Sequence, residues 1–79
     1  MSTALAYEEI IDFIAAGTTP KSVADFQPSE ETKRLVADLI KREKTTGLSE
    51  QEKADLDRYL ELEHLMRLAK ARARRHLVP

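Results

Sequence analysis

A chain of 79 residues has room for one domain, burying roughly 60% of its unfolded surface, a size that leans on staples or partners. Cysteine is absent, which excludes disulfides and thiolate metal sites and leaves oligomerisation as the expected extra source of stability. Charged residues make up 34% but nearly cancel to −1, unlike the strongly basic balance of a dedicated nucleic-acid binder.

The signs are unevenly placed. Residues 1–31 carry six acidic side chains (Glu8, Glu9, Asp12, Asp25, Glu30, Glu31) against Lys21 alone, whereas residues 67–79 carry five basic ones and no acidic one. Such polarity can steer a partner. No run approaches the roughly 18 apolar residues of a membrane span. The start, Met1-Ser2-Thr3-Ala4-Leu5, lacks the basic and apolar regions of a signal peptide, so a cytoplasmic location is expected.

The periodicity predicts four helices. In the first, Tyr7, Ile10, Ile11, Phe13 and Ile14 gather on one side, Glu8, Glu9 and Asp12 favour the amino end, and Gly17 stops it. Thr19 then caps a short helix with Pro20 at its first position, and Val23 and Phe26 form an i, i+3 apolar pair. Pro28 ends it. A third helix opens at Ser29-Glu30-Glu31, with Leu35, Val36, Leu39 and Ile40 as its apolar stripe. Arg34–Asp38 and Asp38–Arg42 are its i, i+4 pairs, and Gly47 with Leu48 completes the carboxyl end.

Ser49 and Glu52 have capping-box spacing, and no Gly or Pro follows before Pro79. The fourth helix is therefore expected to run about 27 residues, or about 40 Å, and to form an antiparallel hairpin with the third. The fold class is all-α: two short amino-terminal helices and an αα-hairpin with a long final arm, one domain over residues 1–79. Residues 71–79, poorer in apolar side chains, are expected to fray or to be ordered by a partner.

The fourth segment is over-supplied with apolar residues. Leu56, Tyr59, Leu60, Leu62, Leu65, Met66, Ala69 and Ala73 cover well over half its circumference, where one small core needs a stripe only about 100° wide. Tyr59, Leu62, Leu65, Met66 and Ala69 are accordingly expected to form a protein interface, with a homodimer as its first occupant. Glu63 falls inside this sector, and Arg67, four residues on, can neutralise it.

Chemistry has little to stand on. Ser22, Ser29 and Ser49 sit at helix starts, where capping explains them, and no Gly-rich phosphate loop exists. Glu61-x-x-His64 has the spacing used in di-iron bundles, with Glu43 as a further carboxylate, but a solvated face explains the pair. No enzyme activity, metal or cofactor is expected. Arg67, Lys70, Arg72, Arg74 and Arg75 could contact phosphates or an acidic partner. No aromatic interleaves with them for base stacking, so favouring the helix dipole and solubility is their first reading.

The stretches Ile11-Asp12-Phe13-Ile14-Ala15-Ala16-Gly17-Thr18-Thr19-Pro20-Lys21-Ser22-Val23-Ala24-Asp25-Phe26 and Leu60-Glu61-Leu62-Glu63-His64-Leu65-Met66-Arg67-Leu68-Ala69-Lys70-Ala71-Arg72-Ala73 resemble a family of small, mostly uncharacterised bacterial proteins common in cyanobacteria. The resemblance runs from Tyr7 to Arg75. Members are often encoded beside an HNH-type endonuclease, so the resemblance implies an antitoxin-like, nuclease-regulating role. The family offers no catalytic motif, so it transfers no functional residue. The leading expectation is a protein-binding module acting through the fourth helix on a nuclease or other protein. The alternatives are a DNA-binding transcriptional regulator using the basic arm and a purely structural small homodimer.

Overall fold

The structure is a computed structural model that describes residues 3–78. The first two residues of the start and Pro79, the last of the expected tail, lie outside the described residues. Four helices occupy the described residues: α1 (Leu5–Ala15), α2 (Pro20–Asp25), α3 (Glu30–Lys44) and α4 (Glu50–Leu77). The all-α class and the long final arm are as expected.

Local chemistry sets the boundaries. Gly17, at φ +94°, follows α1 in a conformation that L side chains rarely adopt. Thr19 caps α2 as expected, and Ser22 completes a capping box with it. This second box was not expected, because a serine substitutes for the usual Glu or Gln. Ser29 Oγ accepts from Thr32 N at the start of α3. At its other end Gly47, at φ +87°, donates its N–H to the carbonyl of Arg42 at 2.7 Å.

In α4, Ser49 and Glu52 form the expected reciprocal box, with Glu52 N donating to Ser49 Oγ at 3.1 Å and Ser49 N to Glu52 Oε1 at 3.0 Å. The helix continues unbroken to Leu77, 28 residues in all. The region expected to fray is therefore helical through Leu77, and Ala73 within it is buried.

α4 is the spine. α2 and then α1 make the broadest contacts with it, and α1 also packs on α3. α3 and α4 touch less, and salt bridges beside their turn join them: Arg42 Nη2 to Glu52 Oε2 at 2.7 Å and Lys53 Nζ to Glu43 Oε2 at 3.8 Å. Arg42 also holds Asp38 at 2.9 Å, so the i, i+4 pair that forms is Asp38–Arg42.

The core is aliphatic and aromatic, centred on Ala6, Ile10, Tyr59 and Met66, with Phe13, Val23, Phe26 and Leu62 packed against it. Phe13 and Phe26 meet with ring centroids 4.4 Å apart, which ties α1 to the residue just after α2.

Two buried polar clusters fix how the helices meet. Glu9 on α1 accepts from Ser29 N at 2.7 Å and from Thr32 Oγ1 at 3.2 Å. It adds a carboxylate from another helix at the amino end of α3, where the helix dipole favours negative charge. Asp55 on α4 accepts from Thr3 Oγ1 and from Gln51 Nε2, so both of its oxygens are satisfied. No helix of the described residues is long and apolar enough to cross a membrane.

Candidate functional site

The apolar surplus of α4 divides in two. Tyr59 and Met66, expected at an interface, are 6% and 5% exposed and belong to the core. Leu62 is half-buried against that core, and Ala69 is half-buried. Of the five expected interface residues only Leu65 faces solvent, at 54% exposure. The correction has a simple cause: α1 and α2 reach α4 on the side that carries Tyr59, Leu62 and Met66 and cover it.

Three leucines of the same run lie outside that side. Leu68, at 55% exposed, stands opposite it, with Leu60, at 43%, and Leu65 on its two flanks. At 100° per residue, Leu68 stands about 160–180° around the helix from Met66 and Tyr59. Burying a leucine is worth roughly 1.5–3 kcal/mol, a gain that the core of the single chain leaves largely unrealised at these three positions. The residues were present in the run Tyr59–Ala69. Subtracting the one stripe a small core consumes, and asking what remained opposite it, would have found Leu60 and Leu68.

Asp57, Glu61 and His64 share this outer face and are all exposed. Among the described residues no group of three or more His, Asp or Glu side chains could hold a metal ion. Glu61 and His64 thus read as the polar part of an outward surface.

The basic residues do not form one patch. Arg67 Nε donates to Glu63 Oε1 at 2.6 Å, the pairing expected from their spacing. The Lys70 ammonium sits 6.0 Å from the Phe26 ring centroid, where the aromatic face attracts it. Arg72, Arg74 and Arg75 are exposed. By helical geometry Arg67, Lys70 and Arg74 group on one side, with Arg72 nearly opposite and Arg75 between. A nucleic-acid backbone laid along the helix would meet only part of this charge at once.

Between α4 and the segment that follows α2 a recess of about 70 Å³ is lined by Ile10, Phe26, Pro28, Tyr59, Met66 and the Glu63–Arg67 pair. Small-molecule sites run to roughly 300–1,000 Å³, so this one has room for a few waters. Burial raises the Tyr59 phenol above its ordinary pKa, and the Glu63 and Glu9 carboxylates add to the shift. The phenol therefore stays protonated at neutral pH, with no base arranged to ionise it.

The candidate site is thus the outer face of α4, centred on Leu68 and flanked by Leu60 and Leu65, with acids toward the amino end and arginines toward the carboxyl end. Compared with family models, curated proteins and solved structures, the chain matches none, and the site rests on its own geometry.

Proposed function

We propose that this chain is a non-enzymatic, cytoplasmic protein-binding module. In this reading it is an antitoxin-like regulator whose helix α4 docks a nuclease or comparable protein through Leu60, Leu65 and Leu68. The observation that carries the reading is the exposure of these three leucines, which the core of the single chain leaves uncovered. Affinity comes from covering them, while the charges on either side set orientation. The nuclease as partner follows from the family resemblance.

A second reading, a DNA-binding regulator, is supported by Arg72, Arg74 and Arg75, which are exposed and enter no salt bridge among the described residues.

One experiment separates the two. The purified chain is mixed with the HNH-type endonuclease that the resemblance implies, and complex formation and plasmid cleavage are followed as salt rises. The protein-binding reading expects a complex that survives salt, changes cleavage and is lost in L65D/L68D while the variant keeps its helical spectrum. No complex with the native chain, or equal binding by the variant, overturns it. DNA retention that falls steeply with salt and disappears on replacing Arg72, Arg74 and Arg75 with Ala supports the second reading instead.

A further inference from the structure

Along the outer face of α4 the exposed side chains fall in a charge-palindromic order: Asp57, Glu61, Leu65, Leu68, Arg72, Arg75. Paired from the outside in, Glu61 and Arg72, and Leu65 and Leu68, are reflected about a midpoint between Met66 and Arg67, and Asp57 and Arg75 about a point half a residue earlier, on Met66. A helix face with this order is complementary to itself when turned end for end.

The four charges are also unsatisfied within the chain. None of them enters a salt bridge or side-chain hydrogen bond among the described residues. Their nearest like neighbours repel them: Asp57 and Glu61 are one helical turn apart with the same sign, as are Arg72 and Arg75.

We infer that the outer face of α4 binds the same face of a second copy of this chain in antiparallel register. The proposal rests on the protein-binding reading of this face and names a second copy as what covers it when no other protein is docked there. In that register Glu61 of each copy meets Arg72 of the other, Asp57 meets Arg75, and the two copies' Leu65 and Leu68 close over the centre. Leu60 and His64 border one edge of the seam. The contact is isologous, so it closes at two copies and does not propagate. A parallel pairing would set acids against acids and arginines against arginines. The seam from Asp57 to Arg75 spans about 27 Å of helix.

The test is charge exchange. By sedimentation in low salt at tens to hundreds of micromolar, the native chain is expected to dimerise, and to dimerise less as salt screens the exposed pairs. D57R/E61R and R72E/R75E should each lose self-association by about tenfold or more. Mixed one to one, they should form a heterodimer, and the fourfold exchange D57R/E61R/R72E/R75E should restore the homodimer.

The chain has no cysteine, so H76C accepts a single spin label. Labels in the antiparallel dimer lie about 28 Å apart along the axis, against about 10 Å for parallel helices in contact.

A native chain that stays monomeric throughout this range overturns the proposal. So does failure of the two folded charge variants to recombine, or a short label separation. If the native chain is monomeric yet L65D/L68D abolishes nuclease binding, the second copy is excluded while the protein-binding reading stands.

Discussion

Glu52 does two jobs at the turn between α3 and α4. Its carboxylate accepts from Arg42 of α3 and from the Ser49 N–H that opens its own helix. The Arg42 hydrogen bond, then that from the Ser49 backbone, holds its pKa down to about 2, against an ordinary 4.5. A carboxyl that titrates lower folded than unfolded contributes stability fully above about pH 4.5, and the contribution is lost as pH falls toward 2. Urea unfolding followed from pH 6 down to pH 2.5 should therefore show a decline below pH 4.5 that is shallower in Glu52→Gln. Equal slopes in both proteins would remove Glu52 from the acid response. Half of this arrangement could be read from the sequence. Ser49 and Glu52 are three residues apart, and any helix starting there brings them together. The Arg42 bond crosses between helices, as does the grip of Glu9 on Ser29 and Thr32 from about twenty residues away. Nothing in the local pattern specifies which acid of α1 will face the start of α3.

Within α4, neighbours have opposite fates. Met66 is in the core and Leu65 beside it is in solvent, although both count equally toward the apolar richness of the segment. The four helices and most of their ends follow from caps, glycines and spacing, which act over a few residues, so these could be read in advance; the uncapped start of α1 and the helical tail of α4 could not. The direction from which α1 and α2 approach could not. It follows from three-dimensional packing, including the Phe13–Phe26 contact, and it decides which apolar stripe is consumed. The expectation of an exposed surplus was sound, but it named Tyr59 and Met66 where Leu60 and Leu68 belong. Paired truncations measure the difference. Met66→Ala should cost about 2–5 kcal/mol in chemical denaturation, since it opens a cavity among Ile10 and Tyr59. Leu68→Ala, measured at concentrations too low for association, should stay within about 0.5 kcal/mol. Similar losses at both positions would mean that the two sides of α4 are not distinct.

For the molecule as a whole, the division of labour among helices is lopsided. The first half of the chain supplies Ala6, Ile10, Phe13, Val23 and Phe26 to the core, but the side chains that complete it, Tyr59 and Met66, belong to the final helix. Thr3 likewise waits for Asp55, 52 positions later. Contacts between such distant parts of a chain repay their loop-closure cost only when both ends are present. During synthesis, then, α1 and α2 emerge before the helix that completes their core, and the protein cannot finish its packing piecemeal behind the ribosome. Nascent chains arrested before Tyr59 has left the exit tunnel should be cut freely by protease, and resistance should arise in one step once Met66 is clear. Protection acquired gradually from α1 onward would contradict this. The long spine makes folding a single late event, and until it occurs the newborn chain has only bare apolar segments to offer its surroundings.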